Sequence, residues 1–118
     1  MVSGIKTRQK EVGFQIVVGL AQKLEPSLQA GAAGAILAFA DAAPTACYEI
    51  YAAWKEGDAK LAHLKQERIT KATTRVAGQM GIPGAKCGVD LTGSYAGPGR
   101  FPVFRLSCAL TVGGGAVL

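Results

Sequence analysis

Apolar residues follow two rhythms along this chain. In the first forty positions they come in short runs bounded by glycine. Phe14–Val18 (FQIVV) lies between Gly13 and Gly19, and a second run spans Gly34–Phe39 (GAILAF). Ile16, Val17 and Val18 are β-branched, and a short apolar run between turn residues predicts a buried strand. Gln22–Ala30 reads as a helix between the two runs. Pro26 sits in its first turn, where a missing N–H costs nothing, and Gly31 closes it. A strand, a helix and a strand this close together predict a βαβ unit with parallel strands near 14–18 and 34–39. Ahead of them, Val2–Lys10 reads as a short basic helix, or its last turns, ended by Gly13.

After Asp41 the rhythm becomes helical. Cys47, Ile50, Tyr51 and Trp54 recur at i, i+3, i+4 and i+7, one stripe of a helix over 45–55. Gly57 ends it and Asp58 N-caps the next, which runs to about Val76 with Leu61, Leu64, Ile69, Ala72 and Val76 as its apolar side. Gly78, Gly81, Pro83 and Gly84 predict a break, and Ala85–Leu91 a third helix. The segment Gly93–Pro102 is rich in glycine and proline. Ala109–Leu118 (ALTVGGGAVL) is apolar without a helical period. The expected division is 1–44 for the βα units, 45–106 for a helical region and 107–118 for an irregular tail.

Composition narrows the classes. With 118 residues, 49% hydrophobic and 18% charged, the chain is one small domain or part of a larger one, and apolar enough to bury a core. Its net charge of +5 fits a basic solvated surface. Lys60, Lys65, Arg68, Lys71 and Arg75 share a helix with Glu67 and lack interleaved aromatics, which argues against nucleic-acid binding. Cys47, Cys87 and Cys108 are odd in number and form no CxxC, which argues against a disulfide framework or a structural zinc site and for a reducing compartment. Ala32–Ala40 is too short for a membrane span and the N-terminus lacks the apolar core of a signal peptide, so the chain reads as cytoplasmic. His63 is the only histidine, which excludes Ser/His/Asp, Cys/His and two-histidine metal sites built within one chain. No GxGxxG or GxxxxGK[ST] loop is present. No cofactor is expected.

Gly81–Leu106 carries a more specific signal, GIPGAKCGVDLTGSYAGPGRFPVFRL. Its Gly-Ile-Pro-Gly-x-Lys, Asp-Leu-x-Gly and Gly-Pro-x-Arg-x-Pro spacing resembles the C-terminal signature of the dihydrodipicolinate synthase/N-acetylneuraminate lyase group of class I aldolases. Gly31–Pro44 (GAAGAILAFADAAP) resembles that family's last barrel strand and the loop after it. The two matches, in the right order, cover most of Phe14–Leu106. The implied fold is α/β: the last two strands of a TIM (β/α)₈ barrel followed by a C-terminal helical domain. A full barrel takes roughly 200 residues or more, so the chain resembles the back half of an enzyme.

The resemblance implies an activity on pyruvate and an aldehyde through a lysine Schiff base, which requires a neutral, desolvated amine. Lys6, in Gly-Ile-Lys, is the candidate by motif. Only residues 7 to 13 separate it from the strand at Phe14, and a parallel crossover needs at least about 10–12 residues. That distance places Lys6 on the helix after the lysine strand, so the chain alone is expected to be inactive. The implied substrate-binding positions are Gly19, at the end of the seventh strand beside the keto acid, and Ile36, whose backbone on the eighth faces the pyruvate moiety. Asp41 stands where the family commonly has asparagine and is expected to cap the following helix. Lys86 reads as surface, and Arg100, between Pro98 and Pro102, as a structural ion-pair partner.

Two strands apolar on both faces would leave unpaired edges, so an oligomer or an aggregation-prone chain is expected. Two other readings compete. One is a small helical interaction module using the Cys47/Ile50/Tyr51/Trp54 stripe, and the other a weak basic nucleic-acid binder.

Overall fold

A computed structural model of the chain describes Glu11 and residues 13–103. The two apolar runs are parallel neighbours. Strand β1 (Val17–Val18) pairs with β2 (Gly34–Ala35) in the register Val17↔Gly34, Val18↔Ala35. Hydrogen bonds from Ala33 N–H to Ile16 O (2.8 Å) and from Ile36 N–H to Val18 O (2.9 Å) extend the pairing at both ends. Side chains alternate across the pleat. Val18, Ala35 and Leu37 lie on the helical core, whereas Val17 and Ile36 point the other way and are 49% and 77% exposed. The strands are therefore covered on one face.

The crossover is a 3₁₀ turn (Ala21–Lys23) followed by α1 (Leu24–Ala30). Gly31 ends α1 at φ 107°, a left-handed conformation that favours glycine, and Ala32 N–H reaches back to Ser27 O at 2.9 Å. Pro26 sits in the first turn, as expected. The second apolar run was expected to remain a strand to Phe39, but Phe39 opens a short helix, α2 (Phe39–Ala42), and is buried in the core. The reason is local: Ala38, Ala40, Ala42 and Ala43 favour helix. Asp41 does not cap the next helix. It is exposed within α2, and α3 (Pro44–Lys55) starts on Pro44, whose fixed φ and missing N–H suit a first helical position.

α3 packs against α4 (Ala59–Thr73), as its stripe predicts. Ile50 is fully buried, Cys47 is buried beside it, and Tyr51 and Trp54 pack on the same cluster. The stripe is core, which removes the surface the interaction-module reading required. Burial raises the Cys47 thiol above its ordinary 9.0, since an apolar surround disfavours the thiolate. Asp58 Oδ1 accepts from Leu61 N–H at 3.0 Å, the expected N-cap.

The buried face of α4 departs from expectation at its start. Leu61 and Leu64 are exposed, while Ile69, Ala72 and Val76 face the core as expected and are joined there by Ala62, Gln66 and Thr73. The inward positions recur at helical spacing, on the side of α4 away from the leucines. A small Ala62 lets α3 approach, and Gln66 makes backbone contacts that a leucine cannot.

Gly78 does not break the chain. Thr74–Gln79 continues α4 as a π-helical segment, and α5 (Gly81–Leu91) begins four residues earlier than the glycine and proline pattern predicts. Gly84 allows this: a Cβ there would lie 2.0 Å from Val76 O and 2.4 Å from Met80 Cβ. The glycine reads as a breaker in sequence but serves as a contact point between α5 and the π turn.

Candidate functional site

β1 and β2 end together. With Val18 opposite Ala35, the next opposed positions are Gly19 and Ile36, the two residues that the resemblance implies. They stand side by side at the C-terminal ends of parallel strands, where barrel active sites form. Gly19 lines a cavity of about 160 Å³ with Gln22, Ala38, Phe39, Ala77 and Gly78. Nothing within the described chain requires glycine there. A Cβ built on Gly19 meets no heavy atom within 4 Å, and its φ is not in the left-handed range. Ile36 commits its N–H to Val18 O, so any contact it offers a ligand comes from its side chain or carbonyl oxygen.

The loop after β1 is fixed from α4 by Gln66. Its Oε1 accepts from Glu25 N–H at 2.9 Å and its Nε2 donates to Ala21 O at 2.9 Å. One side chain thus satisfies an orphan donor of the first turn of α1 and the carbonyl of the turn leaving Gly19. Glu25 is 2% exposed. Its carboxylate accepts from Gln29 Nε2 and lies 3.6 Å from His63 Nδ1, while His63 Nε2 is 3.5 Å from Glu67 Oε1. His63 is mostly solvated, but it also covers this buried carboxylate. Sequence reasoning missed Glu25 and Gln66. The spacing of Gln66 from Ala62 and Ile69 was the available signal for its inward position.

A second, open cleft of about 750 Å³ adjoins the first through Ala38 and Ala77. Asp41 and Lys86 are its charged groups, and Ile82, Val89 and Tyr95 contribute apolar surface. Lys86 is half-buried and donates from Nζ to Ala96 O at 3.0 Å, while Asp90 Oδ1 accepts from Ala96 N–H at 2.9 Å. The two contacts tie the segment after α5 back onto it, so Lys86 is a tether rather than a free surface side chain. Arg100 is exposed, and no carboxylate among the described residues pairs with it; the expected ion pair is not formed there. Lys6 lies outside the described residues. The described lysines are Lys23, Lys55, Lys60, Lys65, Lys71 and Lys86, and each is on a helix or helical turn. Among the described residues no group of three His, Cys, Asp or Glu is arranged to hold a metal, and no helix is long and apolar enough to cross a membrane.

These features define a class first: an α/β chain built on a parallel βαβ unit, with a helical layer behind the strands and two adjoining cavities beside their C-terminal ends. Residues 2–109 match the sequence profile of the dihydrodipicolinate synthetase family, and the chain belongs to that family. It is 27% identical over 113 residues to an uncharacterized DapA-like lyase found in two strains of Halobacterium salinarum, a match covering 86% of this chain. The fold is similar to a crystal structure from Pseudomonas aeruginosa assigned as a dihydrodipicolinate synthetase, with a TM-score of 0.87 over 99% of this chain at 21% identity. The chain spans 37% of the length of the curated relatives and 40% of the crystallised one.

Proposed function

We propose that this chain supplies the closing two strands and the C-terminal helices of a lyase barrel that joins or splits a pyruvate-type keto acid and an aldehyde, and that alone it carries half of a site. Gly19 is the observation that carries the reading. It ends a parallel strand beside a cavity, and neither packing nor backbone conformation in this chain accounts for the missing side chain. Space kept open at a strand end serves a group that the described residues do not include, and a small keto acid fits it. Ile36, opposite, adds backbone and an apolar wall. Gln66 holds the loop between them in place.

Schiff-base chemistry would join a lysine amine to the keto carbon and expel water, after which the iminium stabilises the carbanion at the neighbouring carbon. A lysine suited to this lies at a strand end in a desolvated pocket, and the described lysines stand on helices and turns. Lys6 is the remaining candidate by motif, and its distance from Phe14 argues for a helix. Proximity adds to the deficit, because strands that would face Gly19 and Ile36 are needed to orient a substrate. The free thiols Cys47 and Cys87 suit a reducing, cytoplasmic setting.

The test is pyruvate consumption by the 118-residue chain in the presence of a panel of small aldehydes. The expected result is no turnover above a buffer control. Turnover that scales with chain concentration would contradict the half-site reading.

A further inference from the structure

The outer side of α4 combines cations and leucines. At about 100° per residue, Lys60, Leu61, Leu64, Arg68 and Lys71 fall within one arc of about 100°. All five are exposed, and Arg75, exposed on the π-helical segment, extends the row. Leu61 and Leu64 are 39% and 56% exposed, and a shallow groove of about 440 Å³ is lined by Ala59, Lys60, His63 and Leu64. No carboxylate among the described residues pairs with Lys60, Arg68, Lys71 or Arg75. All eight Asp and Glu residues of the chain are among those described. Glu67 borders the arc, yet its carboxylate faces His63. Arg68 and Lys71 stand three residues apart, a spacing at which like charges on a helix repel, so an anionic cover would relieve them.

Charge decides the occupant. A second copy offers the same face as a row of cations, and its carboxylates are largely committed. Glu25 accepts from Gln29, Glu49 pairs with Lys65, Asp58 caps α4, and Asp90 accepts from Ala96 N–H. A nucleic acid would meet cations but no aromatic side chain to stack on. An anionic bilayer would bury only two leucines, and interfacial binding scales with buried apolar area. An acidic amphipathic helix matches both features, because its carboxylates meet the cations while its apolar side chains cover Leu61 and Leu64. We propose that this face of α4 is a docking surface for an acidic amphipathic helix of another protein. None of Leu61, Arg68, Lys71 or Arg75 lines a cavity beside the strand ends, so the docking does not rest on the half-site reading.

The experiment is fluorescence anisotropy with the 118-residue chain and a labelled synthetic helix whose leucines, at i and i+3, are flanked by glutamates. The same helix with lysines in place of the glutamates, phosphatidylserine vesicles and a single-stranded oligonucleotide are run beside it. The expected result is saturable binding of the glutamate helix, weakened at least about tenfold by Leu64→Asp or Lys71→Glu. Arg100→Glu makes the same change in net charge as Lys71→Glu outside α4 and leaves binding unchanged. All three positions are exposed, so the variants fold. Amide shift changes in the unsubstituted chain, expected along 60–75, read the contact independently of any variant. Equal weakening by Arg100→Glu and Lys71→Glu would reduce the effect to net charge and overturn the proposal. Binding of the vesicles or the oligonucleotide without the glutamate helix would assign the face to that ligand and overturn it. Binding of none of the probes would overturn it too, leaving α4 a solvated face.

Discussion

Two glycines of this chain illustrate opposite uses of a missing side chain. Gly19 has open space around it, and Gly84 has none. At Gly84, alanine would gain about 1 kcal/mol of helix propensity. Against that stands a contact of 2.0 Å with the backbone oxygen of Val76, which cannot rotate away. Overpacking of this kind costs about 1–3 kcal/mol, so the steric term wins. Gly84→Ala is expected to lower the thermal midpoint by about 4 °C or more, measured by circular dichroism. An unchanged or raised midpoint would mean that α5 does not press on the π turn. In sequence Gly84 looked like punctuation, because a glycine needed for close approach and one needed for a turn leave the same letter. Gly31 was legible, since it follows a helix and takes the left-handed conformation with which helices commonly end.

At the scale of elements, the stripe of α3 was legible and the face of α4 only in its second half. Cys47, Ile50, Tyr51 and Trp54 share one stripe of their helix and that stripe went inward, while Tyr48, off the stripe, stayed out. In α4 Leu61 and Leu64 stayed out while Ile69 packed on the core, and a glutamine went in. Hydrophobicity alone cannot anticipate this, because Gln66 is selected by a donor and an acceptor on another element. Gln66→Leu keeps the volume but leaves Glu25 N–H and Ala21 O without their partner in a buried setting, at a cost of about 1–3 kcal/mol. Faster hydrogen exchange at the Glu25 amide, together with the stability loss, is the expected result. Unchanged protection there would show that the loop after β1 is held by something else. The pair of Lys65 Nζ with Glu49 Oε2, at 2.7 Å, is partly solvated, and removing it is worth about 0–1 kcal/mol. The strands were recognised in kind and order, but their ends were not, since an alanine-rich run carries no mark of where extension gives way to helix.

For the whole molecule, the spacing of glycine, proline and charge in Gly81–Leu106 pointed to the family more directly than any periodicity did. The family followed from it and the βαβ order from the apolar runs, and the parallel register brings Gly19 and Ile36 to one end of the sheet. The cavities beside them were not legible, because Ala77 and Gly78 reach the strand ends only through a helix that continues where glycine predicted a break.

The central claim is that this chain holds the substrate-supporting strand ends without the nucleophile. It is tested most directly by incubating the 118-residue chain with pyruvate and borohydride, followed by peptide mass spectrometry. Hydride would trap any iminium as a stable secondary amine on the lysine that formed it. The account predicts no pyruvate adduct on any lysine. A stoichiometric adduct on Lys6 would contradict it, by placing that side chain at a strand end rather than on the helix its spacing from Phe14 implies.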